Sequence, residues 1–304
     1  MRSAPGARGA TVTDAGDRSV TIGRALAEAR ATLEAASATA HLDAEILLSH
    51  VLGRGRARLL AHPGAPLDPD SGERFKTLVE RRRRGEPIAY LTGRREFWSL
   101  DLRITPDTLI PRPETEHLVE AVLAAVRPDE AAAIADVGTG AGAIAIAVAR
   151  ERPRALVLGS DRSAAAVAVA RDNASRLGAR NASFVVADAC AALAPGQWSV
   201  IVSNPPYVAE GDPHLLGGDV RFEPREALAS GPRGLDMLER LALEAPAGLA
   251  PGGRLALEHG GGQGPAVRTL LSRAGLEAVE TFRDLAGNER VTLGRRASTD
   301  GGRD

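Results

Sequence analysis

The sequence predicts an α/β protein: a mostly parallel sheet with helices on both faces, preceded by a small helical bundle. Three observations carry this. From about residue 134 onward, apolar runs of strand length alternate with segments of helical periodicity. Before about residue 90, apolar residues recur at helical spacing, with no strand-like run. A glycine-rich turn, residues 136–142, follows the first apolar run at the point where strand gives way to helix.

The first 19 residues are small, polar and glycine-rich, and are expected to be disordered. Thr21 can cap a helix in which Ile22, Leu26 and Ala29 share a face. A second helix fits 41–52 and stops at Gly53, and a third fits 70–84 and stops at Gly85. Together they give a helical domain over 20–90. At its end, Arg81 to Arg84 read as cations complementing a helix C-terminus, or as a contact for an acidic protein or RNA. Alternation around Phe97, Leu100, Leu102 and Ile104 predicts a β-hairpin, taken as a linker over 91–108.

The second domain is expected over 109–295. The prolines of Ile110-Pro111-Arg112-Pro113-Glu114-Thr115-Glu116 start a helix that reaches about Val126. Strands follow at 134–137, 155–160, 183–187 and 198–203, with helices at 143–150 and 163–177 between the first three. A helix at 235–249, a strand at 254–258, a helix at 263–274 and strands at 277–283 and 290–293 complete the pattern. Residues 296–304 are expected to be a second disordered tail.

Composition excludes several functions. A net charge of −1 over 304 residues argues against a general nucleic-acid binder. Cys190 is the sole cysteine, so no intramolecular disulfide or cysteine metal cage can form. His41, His50, His62, His117, His214 and His259 show no ligand spacing, and no metal is expected. No apolar stretch is long enough to span a membrane, and no secretory leader is evident, which leaves a cytoplasmic enzyme as the expectation. Lys76 is the sole lysine, and the arginine, alanine and glycine excess points to a GC-rich coding sequence, which weakens every arginine cluster as evidence.

The chemistry concentrates at strand ends. Asp136-Val137-Gly138-Thr139-Gly140-Ala141-Gly142 leaves the first sheet strand and enters a helix, with glycines that let the backbone approach a ligand. Asp161 ends the next strand, where a carboxylate can accept from both hydroxyls of a ribose. Asp188 and Ala189 follow the third, where an adenine edge would lie. Gly138, Gly140 and Ala143 also satisfy the loose dinucleotide fingerprint, so this turn alone suits either a nicotinamide or S-adenosylmethionine.

Asn204-Pro205-Pro206-Tyr207 shifts that balance. Two prolines stiffen the backbone after a buried strand and remove two N–H donors. The Asn204 side-chain carbonyl and the Pro205 backbone carbonyl become two fixed acceptors, able to grip the two hydrogens of a planar –NH2 group. An enzyme that methylates an amide or an aromatic amine needs such a clamp.

These pieces, with Gly85-Glu86-Pro87-Ile88-Ala89-Tyr90, Glu96-Phe97-Trp98, Asn173-Ala174, Glu223-Pro224-Arg225-Glu226-Ala227-Leu228 and Asp284-Leu285-Ala286-Gly287-Asn288-Glu289-Arg290-Val291, occur in an order that resembles the release-factor glutamine methyltransferases, the HemK or PrmC family, over about residues 21–294. The resemblance implies a seven-stranded Rossmann-like S-adenosylmethionine-dependent methyltransferase domain whose last strand is antiparallel. It also implies a helical N-terminal domain that helps dock the substrate. The activity implied is methyl transfer to the glutamine of the Gly-Gly-Gln loop in peptide-chain release factors, leaving S-adenosylhomocysteine. Carried over by position, Gly138, Thr139, Gly140, Ala141, Gly142, Asp161, Asp188, Ala189 and Asn204 would bind the cofactor. Asn204, Pro205, Pro206 and Tyr207 would hold the glutamine. Some relatives have an aromatic residue against the adenine where this chain has Ala189.

Partners implied are release factors, with no direct nucleic-acid or membrane contact, and the protein is expected to be a monomer. A glutamine methyltransferase acting on a ribosomal protein, or an adenine-specific nucleic-acid methyltransferase, would use the same clamp. Arg112 and Glu114 are read as touching the substrate loop or as forming a domain-linking salt bridge. Gly261-Gly262-Gln263 spells the expected target but reads as a strand–helix connection.

Overall fold

The computed structural model describes residues 20–298; the expected disordered segment 1–19 and the part of the expected 296–304 tail from residue 299 on lie outside them. The chain divides into two compact units, the first ending at Ile88 and the second beginning at Ala89.

The first unit is helical. α1 (Ile22–Leu33) is capped by the Thr21 side chain, and Ile22, Ala25, Ala29 and Leu33 form its buried stripe. α2 (Ala40–Leu52) ends at Gly53, which takes the left-handed conformation that closes a helix. A short helix that the periodicity does not announce, α3 (Arg56–Ala61), buries only Leu59. α4 (Pro69–Arg83) starts on Asp68, whose carboxylate accepts from Ser71 N–H, with proline in the first turn. The four arginines at its end all have acidic partners within the unit. Arg81 pairs with Glu86, Arg83 and Arg84 with Glu80, and Arg82 with the buried Asp43 at 2.7 Å. The run is therefore tied to acids of its own unit, with the side chains of Arg81, Arg83 and Arg84 still 47 %, 51 % and 70 % exposed.

The unit boundary falls within the short helix α5 (Ile88–Thr92). The second unit opens with β1 (Arg94–Phe97) and β2 (Leu100–Arg103), an antiparallel hairpin. The hairpin was expected to be a linker. Instead Phe97, Leu100, Leu102 and Ile104 are buried in the core of this unit, with Leu118, Val122 and Ile146. Asn173 pins it further, taking the Arg103 N–H at 2.7 Å and donating to the carbonyls of Arg103 and Ala141. One buried amide thus ties the hairpin to the glycine-rich turn.

Behind the hairpin come α6 (Glu116–Ala125), β3 (Ala133–Val137), α7 (Ala143–Glu151), β4 (Leu156–Asp161), α8 (Ala164–Leu177), β5 (Ala182–Val186) and β6 (Trp198–Ser203). Then follow α9 (Asp236–Gly248), β7 (Leu249–Glu258), α10 (Gly264–Arg273), β8 (Glu277–Arg283) and β9 (Glu289–Arg295). The sheet has seven strands in the order β5-β4-β3-β6-β7-β9-β8, with β9 antiparallel to both neighbours and the other pairings parallel. This is the Rossmann-like architecture that the sequence implied. The central strands read as continuous apolar runs because both faces are covered. Ala135, Ile201 and Leu255 look toward one helical layer with Leu238 and Leu271, whereas Ile134, Val200 and Ala256 join the other with Leu118 and Ile146. Arg296, expected to begin a tail, instead exchanges backbone hydrogen bonds with Gly252 and Gly253 and donates to the Leu249 carbonyl.

Asp43→Ala would remove the buried carboxylate that Arg82 Nε meets at 2.7 Å. Removing one member of a buried pair costs roughly 3–5 kcal/mol. Urea denaturation of the full chain, followed by helical circular dichroism, should show the first unit losing stability by that order. A loss below about 1 kcal/mol would mean that the pair behaves as a solvent-screened one.

Candidate active site

The parallel strands end level with one another. Val137 on β3 lies beside Ser160 on β4 and Ser203 on β6. The residues that follow, Gly138, Asp161 and Asn204, therefore emerge along one edge, the carboxyl edge where open α/β sheets bind ligands.

Asp136 sits beneath this edge and organises it. It is 1 % exposed, and its Oδ2 accepts from Thr139 Oγ1 at 2.7 Å and from the Ala145 N–H at 3.1 Å. Burial pushes the carboxyl up to about 7, although both hydrogen bonds pull the other way. Its Oδ1 is buried without a partner. The turn above needs glycine. Gly138, Gly140 and Gly142 have φ of +74°, +54° and +85°, all left-handed. A Cβ on Gly142 would lie 2.9 Å from Ile146 Cδ1 and 3.1 Å from Ala170 Cβ, so this glycine lets α7 approach α8. At Gly140 a Cβ would meet nothing within 4 Å, so that backbone faces open space.

Asp161 is fixed by two backbone donors, Gly140 N–H on Oδ2 and Ser163 N–H on Oδ1, both at 2.9 Å. Each carboxylate oxygen still has a second lone pair, so two ribose hydroxyls could be accepted. Asp188 Oδ2 pairs with Arg240 Nη1 at 2.9 Å, and Arg240 Nε is held by Glu244 at 2.7 Å. Ala189 is buried with φ +45°, a conformation unusual for a residue with a Cβ.

These groups border a cavity of about 350 Å³, within the ~300–1,000 Å³ typical of small-molecule sites. Its walls include Gly138, Gly140, Asp161, Asp188, Ala189, Asn204, Pro205 and Pro206. Thr139, Ala141, Gly142 and Tyr207 are absent from the lining: the first three build the turn and helix start beneath it, and Tyr207 turns to Glu258. Met237, Arg240 and Leu241 of α9 complete one wall, which the sequence reading did not foresee because they come from a helix distant in sequence. The open glycine backbone, the ribose-competent Asp161 and the apolar wall fit a nucleoside with a short charged tail. A larger cavity, about 920 Å³, lies in the first unit but contains none of these strand ends.

Asn204 leaves β6 with its Nδ2 donating to Thr115 Oγ1 at 3.0 Å. One of its two N–H bonds is engaged there, and its side-chain carbonyl accepts no hydrogen bond from the described residues. Tyr207 donates its hydroxyl to Glu258 Oε1 at 3.1 Å, and burial raises the phenol above its usual range. Its backbone carbonyl accepts from Gln263 Nε2 at 3.0 Å, and Gln263 Oε1 accepts the Gly260 N–H. The Gly261-Gly262-Gln263 segment is thus the connection between β7 and α10, and its amide braces the Asn-Pro-Pro-Tyr turn from behind.

Arg112 forms an ion pair with the fully buried Glu223, which also accepts the Ile110 N–H at 3.0 Å. This joins two segments of the second unit, so the expected domain-linking alternative for Arg112 is corrected to a bridge inside one unit. Glu258 was read only as the end of a strand. Its signal was the same as that of Asp136 and Asp161: a carboxylate closing an apolar run at the carboxyl edge of the sheet. Among the described residues, no helix is long and apolar enough to cross a membrane, and no cluster of His, Cys, Asp and Glu could hold a metal ion.

Comparison with known proteins adds to this geometry. Residues 24–93 match the model described as the PrmC N-terminal domain, and residues 114–217 match the methyltransferase small domain. A protein of Xylella fastidiosa named release factor glutamine methyltransferase is 51 % identical over 254 residues, covering 84 % of this chain and 92 % of the relative. The Escherichia coli protein of the same name is 49 % identical over 270 residues, covering 89 % and 97 %. A solved protein-(glutamine-N5) methyltransferase, release factor-specific, from Alicyclobacillus acidocaldarius is 30 % identical, covering 64 % of this chain and 99 % of that one, with a TM-score of 0.39.

The buried Asp136 makes stability depend on pH. Its carboxyl binds a proton more tightly in the folded protein, at about 7, than at its ordinary value of 3.8. Between those values the folded state holds more protons, so stability falls as pH rises and levels off above about 7. Asp136→Asn should lose less stability than wild type between pH 5 and pH 8 in thermal unfolding. Equal slopes would show that Asp136 is ionised throughout.

Proposed function

The chain belongs to the release factor glutamine methyltransferase family, and on that premise we propose that it methylates the side-chain amide nitrogen of the glutamine in the Gly-Gly-Gln loop of peptide-chain release factors, using S-adenosylmethionine. The observation that carries this reading is the Asn204 amide, which lines the cavity with one N–H held by Thr115 and its carbonyl without a donor among the described residues.

Bound S-adenosylmethionine supplies a methyl group on a positively charged sulfur. Gly138, Gly140, Asp161, Asp188 and Ala189 are the residues to hold it, since they line the cavity. Thr139, Ala141 and Gly142 act one layer below, by keeping the turn in its left-handed geometry. Where some relatives carry an aromatic residue, Ala189 leaves the apolar contact to Met237 and Leu241.

An amide nitrogen is a poor nucleophile because its lone pair is delocalised into its carbonyl. The protein must therefore supply position and charge stabilisation. Correct placement can contribute roughly 7–11 kcal/mol of the barrier. Asn204 Oδ1 and the Pro205 carbonyl accept the two N–H bonds of the glutamine amide. As positive charge grows on that nitrogen, both hydrogen bonds strengthen, so they favour the transition state over the ground state. Pro205 and Pro206 keep the two acceptors from moving as the charge develops. The methylated nitrogen then sheds its proton to water, so no side chain need act as a base. Tyr207, outside the cavity lining and anchored by Glu258, would reach the glutamine stem only from behind the turn.

The reading is tested with radiolabelled S-adenosylmethionine and a purified release factor, wild type or with its loop glutamine changed to alanine. Label on the wild-type factor alone is expected. Label on neither, with the cofactor bound, would contradict it and turn attention to ribosomal protein and nucleic-acid substrates. Asn204→Ala should lower turnover by about a hundredfold or more. Wild-type turnover in that variant would rule out the clamp.

A further inference from the structure

We propose that the buried Glu223 is a positioning residue that fixes the cavity wall and the Asn204 clamp relative to each other, and that Arg112 acts through it; this rests on the methyl-transfer reading above. Two stretches far apart in sequence meet at the cavity. Thr108 and Leu109 line it from one, and Pro224, Ala227 and Ser230 from the other. Neither stretch lies in a strand of the sheet, so the strand register does not set the distance between them.

Glu223 sets it. Ile110, next to Leu109, donates its N–H to Glu223 Oε2 at 3.0 Å, and Arg112 Nη2 pairs with Glu223 Oε1. Both carboxylate oxygens are thus engaged by the opposite stretch, and the carboxylate is fully buried. A charge so far from water is stable only with such partners. Leu109 and Pro224 line the cavity, so the tie sits one residue behind the lining on each side.

The tie also closes a ring that contains the clamp. Val208, the residue after Asn-Pro-Pro-Tyr, donates to the Leu228 carbonyl and accepts the Ser230 N–H, both at 2.9 Å. The wall that follows Glu223 is therefore fastened to the end of the clamp turn. The stretch that holds Ile110 and Arg112 is fastened to its start, where Asn204 Nδ2 donates to Thr115 Oγ1 at 3.0 Å. Glu223 joins the two stretches to each other. Each stretch has a further anchor: Tyr90 donates to the Thr108 carbonyl at 2.8 Å, and Ser230 Oγ accepts the Met237 N–H at 2.8 Å. Opening the ring at Glu223 leaves those anchors and the sheet in place. What is lost is alignment. Methyl transfer is sensitive to alignment, since a misplacement of about 1 Å can cost about a hundredfold.

The test compares wild type, Glu223→Gln, Arg112→Ala, Arg112→Lys and the double variant Glu223→Gln with Arg112→Ala in methyl transfer to a release factor, at saturating S-adenosylmethionine. S-adenosylhomocysteine titration and thermal unfolding run alongside. Glu223→Gln keeps the shape but turns an amino group toward one of the two donors, so one tie is broken. It should lower kcat about tenfold or more and weaken S-adenosylhomocysteine binding, with the protein still folded at the assay temperature. Arg112→Ala should act in the same direction. Arg112 meets Glu223 through Nη2 alone, so Arg112→Lys should restore most of that loss. The double variant should cost no more than the worse single one, because both residues serve one tie. Losses that multiply would mean that Arg112 acts apart from Glu223, as a contact to the substrate loop would, and overturn the assignment. Wild-type kcat in Arg112→Ala also overturns it, and this holds even if Glu223→Gln fails to fold. Absence of transfer by the wild type would instead strike at the methyl-transfer reading itself.

Discussion

The site depends first on the parallel register of β3, β4 and β6. With Val137, Ser160 and Ser203 side by side, the glycine turn, Asp161 and Asn204 must leave the sheet together. A slip of one residue in any of these strands would reverse the faces of its side chains. It would put Asp136 or Ser203 into the apolar layers, so burial enforces the register. The apolar runs that look like ordinary core thus also set the distance between the cofactor turn and the amide clamp.

At the carboxyl edge the core gives way to buried polar groups, each with a structural task. Asp136 holds the glycine turn against the start of α7. Ser203 donates to the Val137 carbonyl at 2.7 Å and ties β6 to β3 at their last pair. Asn173 bridges the hairpin and the turn. Glu258 accepts the hydroxyl of Tyr207. Burying carboxyls is unfavourable unless they are hydrogen-bonded, and two of these four groups keep an oxygen without a partner. A purely structural edge would be cheaper to build from apolar residues. Retained polarity at strand ends is the pattern expected where stability is given up for a fixed site.

Much of the fold was legible in the sequence because its signals are local. Strand and helix alternation, the proline-led turn that precedes α6, and the glycine stop at Gly53 can be read within a few residues. The residues of the two turns were equally plain, since left-handed glycines and paired prolines announce themselves. What escaped depends on long-range partners. The hairpin read as a linker because its alternation says that one face is buried, but not against what. Arg82 read as one more cation complementing the end of α4 because its buried partner Asp43 comes from α2, 39 residues earlier. Arg240 reaches Asp188 from α9, and Thr115 reaches Asn204 across 89 residues of sequence. Glu258 could have been found by extending to β7 the strand-end rule that picked out Asp161.

The central claim is that Asn204 presents its carbonyl, together with that of Pro205, to the amide it methylates. A crystal structure with S-adenosylhomocysteine and a peptide bearing the Gly-Gly-Gln loop tests this most directly. The account predicts the glutamine nitrogen within hydrogen-bonding distance of both oxygens, with Asn204 Nδ2 still on Thr115. A peptide amide bound elsewhere, or Asn204 turned so that its amino group faces the peptide, would contradict it.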